Sequence, residues 1–152
     1  MSSLAILSNI LPASTKETIE KIVIAEELIR QYKQIKLRTE HVFHAGMYAR
    51  TIRFVPNTVA VGTLMKIPTI FIINGICDLL VGDEWVRLEG YNVIPGNAWR
   101  KQICIARSAV EITMIFTSNA ETVEDAEAQF TDEVDNLLSR TQHDDIIVFT
   151  GV

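Results

Sequence analysis

Between His44 and His143 the chain has no histidine. That gap covers nearly everything that reads as β-strand, and it removes the commonest protein ligand for zinc, iron or manganese from the region. Cysteine is equally scarce. Cys77 and Cys104 are the only two, both in apolar strand-like settings with no histidine nearby, so they are expected to be reduced core residues of a cytoplasmic protein. Neither sits in a context that would activate a thiol, although Arg107 follows Cys104 closely. No apolar run reaches the roughly 18 residues of a membrane span, despite a hydrophobic content of 48% and a mean hydropathy of +0.20. Positive charge is in deficit as well. The net charge is −5 and the isoelectric point about 5.2, which argues against a nucleic-acid footprint. No serine triad, phosphate loop or nucleotide fingerprint is present. The N-terminal stretch SSLAILSNILPAS lacks a basic flank, so it reads as an amphipathic docking segment rather than a leader.

What is present divides into a helix, a β-rich centre, and a second helix with a tail. One domain over residues 1–152 is expected, with a terminal segment and helix over 1–38, a barrel over 39–119, and a helix and tail over 120–152. Ser14 and Glu17 have capping-box spacing. Ile22, Ala25, Leu28, Ile29, Tyr32 and Ile35 then share a face, which predicts a helix over 15–36 packed on the barrel or on a second subunit. The period then changes to two. Tyr48, Arg50, Ile52 and Phe54 alternate with Met47, Ala49, Thr51 and Arg53, as in a strand whose faces meet different surroundings. Further strands are expected at 58–66, 69–73, 76–81, 85–88, 93–94, 102–106 and 110–117. Asn74-Gly75 predicts a two-residue type I′ hairpin, and Pro95-Gly96 a turn. Thr122 and Asp125 open a helix expected over 122–139, with Val123, Ala126, Phe130, Val134, Leu137 and Leu138 as its apolar stripe. The apolar tail Ile146–Phe149 is expected to add a strand to a sheet edge, its own or a neighbour's. So many short strands with frequent turns indicate a sandwich or barrel.

Several pieces in order resemble a small cupin-like family of bacteriophages and prophages: HVFHAGMYAR at 41–50, TIRFVPNTVAVG at 51–62, IINGICDLLVGDEWVRLEG at 72–90 and VIPG at 93–96. The resemblance covers residues 40–130 and implies a mainly β fold, a double-stranded β-helix or jelly-roll barrel carrying an N-terminal and a C-terminal helix. In metal-binding cupins a first block supplies a pair of histidines and a carboxylate. The matching stretch here, GTLMKIPTIFIING at 62–75, places Leu64, Met65, Pro68 and Thr69 there. The second block's histidine falls between Trp99 and Gln102. No metal and no cofactor are therefore expected. His41 and His44, three apart in a strand, should point to opposite faces and act as ordinary hydrogen-bonding histidines.

Tyr48, Arg50, Arg53, Trp85, Trp99, Arg100 and Lys101 could line a pocket suited to an anionic or planar ligand. Tyr48, Arg50 and Trp99 are the ligand-binding candidates. The competing view has the arginines paired with surface carboxylates and the tryptophans packed. No catalytic residue is assigned. The leading expectation is a metal-free, non-enzymatic, homo-oligomeric structural or accessory module of phage or prophage type, with one terminal segment crossing to its neighbour and an unidentified small-molecule, phage or host-protein partner. Two alternatives stay open. One is a small-molecule-binding module using the barrel mouth. The other is a metal-independent isomerase or epimerase drawing its acid and base from Tyr48, Lys66, Glu111 and Tyr91.

Overall fold

The computed structural model describes residues 10–150. Ten strands form two sheets. The larger runs β10 (Asp145–Phe149), β1 (Thr39–His44), β2 (Met47–Phe54), β9 (Val110–Thr117), β4 (Thr69–Asn74), β7 (Tyr91–Gly96). The smaller runs β3 (Thr58–Val61), β8 (Ile103–Ala106), β5 (Cys77–Val81), β6 (Glu84–Leu88). Every pairing is antiparallel except β1 with β10. The period-two pattern decides what faces inward. Tyr48 and Phe54 of β2 are buried with Met114 and Val110 of β9, while Met47 and Arg53 face out. Cys77, Leu79, Val86, Leu88, Cys104 and Ala106 form the opposing apolar surface of the smaller sheet.

The Asn74-Gly75 hairpin is not formed. β4 pairs with β7 and β9, whereas β5 pairs with β6 and β8, so residues 75–76 carry the chain from one sheet to the other. Gly75 is needed there for a different reason: its φ is +133°, and a Cβ would collide with the Ala109 carbonyl. The two-residue turn with positive φ at both central positions lies at Ala45-Gly46 (φ +52° and +70°), joining β1 to β2. Pro95-Gly96 is not a turn but the end of β7, an edge strand, where a missing amide proton is tolerated.

Both helices are shorter than the periodicity predicts. α1 spans Lys16–Ile29, and its N-cap is Thr15, whose hydroxyl accepts from the Thr18 amide. Ser14 instead exchanges hydrogen bonds with the backbone of Lys101. Ile22 is buried, but Ile24, Leu28, Tyr32 and Ile35 are exposed, so the expected broad apolar contact is narrow. The C-terminal helix is broken. α2 (Val123–Phe130) stops at extended Thr131, a 3-10 turn covers Val134–Asn136, and α3 covers Leu138–Gln142. Thr131 is fully buried and the chain bends there, which lets Phe130 and Leu137 both enter the barrel core.

The tail strand β10 is seated on β1 of its own chain, with Phe149 against Phe43. Of the N-terminal docking segment, Leu11 is described: it is buried and hydrogen-bonded to Pro95 and Asn97 beside β7. Residues 2–9 of that segment lie outside the described residues. No helix among the described residues is long and apolar enough to cross a membrane.

Candidate functional site

The two sheets enclose a cavity of about 640 Å³ that opens beside the segment following α1. Ile52, Phe54, Phe71, Ile73, Ile112 and Met114 line it from the larger sheet, Leu79 and Cys104 from the smaller, and Phe130 and Leu137 from the C-terminal elements. Two arginines, Arg50 and Arg100, also line it. Register places them near one another, because Arg50 on β2 pairs with Met114 on β9, which pairs with Phe71 on β4. The Arg100 guanidinium lies over the Phe71 ring, 4.6 Å from its centroid.

Arg50 is fully compensated. Its Nη1 donates to Glu127 Oε2 at 2.8 Å, and Glu127, itself wholly buried, also accepts from Arg140 Nε at 2.7 Å and from the Ser139 hydroxyl. Burial alone would raise the Glu127 carboxyl, but Ser139, Arg140 and Arg50 together hold it below its ordinary value. The network continues behind Arg50. The Tyr48 hydroxyl donates to His41 Nδ1 at 2.7 Å, and His41 Nε2–H donates to Asp145 Oδ1 at 2.6 Å. Burial lowers the His41 pKa despite the upward pull of Asp145, and burial pushes the Tyr48 phenol up to about 12. Tyr48 and His41 are therefore neutral near pH 7, and both are inaccessible to solvent. His44, on the opposite face, bonds to Thr150.

Arg100 is different. It is wholly buried, its Nη atoms donate to the Asn97 carbonyl and the Thr69 hydroxyl, and its Nε has no partner among the described residues. Burial pulls its pKa from 12.5 to about 10, which leaves it charged at neutral pH. The chain creates the space deliberately: a Cβ on Gly96 would strike the guanidinium. Trp99 has φ +62°, and its backbone bonds to Met65 and Ser14. This turn sends Arg100 into the barrel and Lys101 the other way, to Glu133 at 2.9 Å and Glu26 at 3.4 Å.

A cupin metal does not fit these residues. Met65, Thr69 and Arg100, which occupy stretches matching the two metal-binding blocks, converge through the Met65–Arg100 backbone bridge and the Arg100–Thr69 hydrogen bond. They present a thioether, a hydroxyl and a guanidinium, a donor set that offers no imidazole, carboxylate or thiolate and already carries a positive charge. Among the described residues no three His, Cys, Asp or Glu side chains gather as a metal site requires.

Of the sequence candidates, Tyr48 and Arg50 are brought together, with Arg50 Nη1 3.5 Å from the Tyr48 hydroxyl. Tyr48 lies behind Arg50 rather than on the cavity wall. Trp99 joins neither; its side chain is 54% exposed. Arg53 faces outward and pairs with Glu40 and Glu111. Trp85 is also exposed, so the tryptophans do not pack in the core. Lys66 pairs with exposed Asp132, Glu111 is on the outer face, and Tyr91 is exposed, so these residues and Tyr48 do not face one another inside the barrel. Sequence reading missed Glu127 and Ser139 as interior partners, and Asp145, on the exposed edge strand, as the partner of His41. It also missed that Cys77 and Cys104 are buried against one another; the Cys104 thiol is raised first by its hydrogen bond with Cys77 and then by burial.

The chain matches no protein-family model and no curated protein. Solved structures are similar in fold. Salicylate 1,2-dioxygenase from Pseudaminobacter salicylatoxidans has a TM-score of 0.50 at 10% identity, over 76% of this chain and 36% of its own. A cupin superfamily protein from Desulfitobacterium hafniense has a TM-score of 0.47 at 10% identity, over 58% of this chain and 83% of its own. KdgF from Halomonas sp. has a TM-score of 0.47 at 14% identity, over 60% and 88%. Identities this low speak to fold and not to activity. The two facing sheets and their strand order make the chain a mainly β jelly roll flanked by helices, and the likeness to the dioxygenase is one of fold alone.

Proposed function

We propose that the chain is a metal-free, non-enzymatic small-molecule-binding module that receives its ligand inside the barrel. The observation that carries this reading is the cavity of about 640 Å³, within the roughly 300–1,000 Å³ range of small-molecule sites, with mostly apolar walls and a few placed polar groups. The crossing of Phe130 and Leu137 into the barrel supports it, since these residues wall the space without filling it. Soaking crystals with a fragment library tests it. A fragment bound among Phe71, Met114 and Phe130 is the expected result. Fragments confined to the outer surface, with side chains closing the interior, would refute it.

A homo-oligomeric role as a structural or accessory module is a second reading, favoured by the outer face of the larger sheet. Val42, Met47, Ile70, Tyr91, Val93, Ile146 and Val148 are all exposed there, an apolar spread typical of interfaces. Light scattering across a dilution series decides it. A dimer or a multiple of one is expected, and a single-chain mass at high micromolar concentration removes the reading. A phage or prophage setting is supported by the sequence resemblance over residues 40–130 alone.

A further inference from the structure

Among the described residues, Arg100 is the cation inside the barrel that meets no carboxylate. Arg50 has Glu127, and Lys101 has Glu133 and Glu26. Arg100 has a carbonyl and a hydroxyl, and among the described residues no carboxylate. A wholly buried guanidinium without a counter-charge is a standing cost to the folded state. Yet the chain maintains it, with a glycine at position 96 that clears its space and a left-handed turn at Trp99 that aims it inward. Its Nε–H has no acceptor among the described residues.

We infer that the barrel interior binds a monocarboxylate with an apolar body, the carboxylate pairing with Arg100 and the body lying against Phe71, Met65, Met114 and Phe130. This inference rests on the reading of the interior as a ligand cavity. A guanidinium edge matches a carboxylate in geometry and charge. One uncompensated positive charge balances one negative charge; a phosphate dianion would carry a surplus charge into an apolar chamber. The guanidinium stacks on Phe71, a residue of the cavity wall, and its Nε–H, buried beside Gly96, has no acceptor among the described residues. Beside the mouth Arg30 is paired with Glu26 and Glu27, and Arg38 with Asp144. Lys33, which lines the opening, and Lys36 have no carboxylate partner among the described residues, and unpaired cations at an entrance raise the encounter rate of anions.

The test is calorimetric titration of the full chain with matched pairs: hexanoate, octanoate, phenylacetate, 4-phenylbutyrate and indole-3-acetate, each against its primary amide. At least one carboxylate should bind tenfold or more tightly than its amide. That preference should vanish in Arg100→Met and persist in part in Arg100→Lys. Equal binding of acid and amide overturns the carboxylate inference and leaves the cavity reading intact. Absence of binding by both series at millimolar concentration overturns the two together. A preference that survives in Arg100→Met assigns the anion to another cation and also refutes the inference. Should Arg100→Met fail to fold by circular dichroism, the wild-type pairs and Arg100→Lys still decide.

Discussion

Charge inside this barrel is settled residue by residue. Glu127 neutralises Arg50 and holds Arg140 and Ser139. Replacing it with glutamine leaves two guanidinium groups short of a counter-ion, and Arg50 is buried. Glu127→Gln should therefore cost about 3–5 kcal/mol in urea denaturation, the range for a broken buried ion pair; a loss under about 1 kcal/mol would show the network to be slack. His41 makes a pH prediction. Its folded pKa lies below 6.5, mainly through burial, so between the folded and unfolded values the unfolded chain binds more protons. Stability from this group is full above 6.5 and falls as the pH drops through that window. Melting temperature should fall from pH 7 to pH 5, and the fall should shrink in His41→Gln; identical pH profiles would remove His41 as the cause. Gly96→Ala should displace the Arg100 guanidinium and abolish any carboxylate preference, with a loss of stability visible in the same melts.

At the scale of elements, alternation in the sequence was a sound guide, whereas turn chemistry misled at Asn74-Gly75 and Pro95-Gly96. The inward set Tyr48, Arg50, Ile52, Phe54 was legible because a strand has period two and β2 lies mid-sheet. The Asn74-Gly75 signal misled because a glycine required for close approach at a sheet-to-sheet corner reads the same as one required for a hairpin. The true tight turn, Ala45-Gly46, was hidden because alanine is a poor left-handed residue. Ala45→Asn should accordingly stabilise the protein by about 0.5–1 kcal/mol, read as a rise in the urea midpoint at constant slope; a fall would mean the turn is not as described. The helices were over-extended because Tyr32, Ile35 and Val134 continue the apolar pattern beyond the helix ends; Tyr32 and Ile35 are exposed beside the cavity, and Val134 packs against the Phe43–Phe130 cluster. β10 takes the own-chain edge, one of the two places expected for the tail. Since it supplies Asp145 to His41 and covers Phe43, deleting residues 144–152 should lower the melting temperature equally at dilute and concentrated protein. A concentration-dependent loss would instead assign the tail to an interface.

For the whole molecule, a jelly roll was legible from strand number and turn density, whereas the interior site was only half so. Arg50 and Arg100 could be named as pocket residues, but the partner of Arg50 could not, since Glu127 lies 77 residues away, and nor could that of His41, since Asp145 lies 104 residues away. Nothing local marks an acidic residue on a surface-like helix as the counter-ion of a strand arginine. What distinguishes the two arginines is global: one meets a carboxylate when the chain closes and the other does not. The claim that the interior receives a ligand beside Arg100 is read most directly from methionine methyl NMR. The chain has four methionines, Met1, Met47, Met65 and Met114, of which Met65 and Met114 line the interior and Met47 faces solvent. On titration with whichever carboxylate binds, the Met65 and Met114 methyl signals should shift together while Met47 stays fixed, and the shifts should be absent in Arg100→Met. Shifts confined to Met47, or interior signals that never move while binding is measured, would contradict the account.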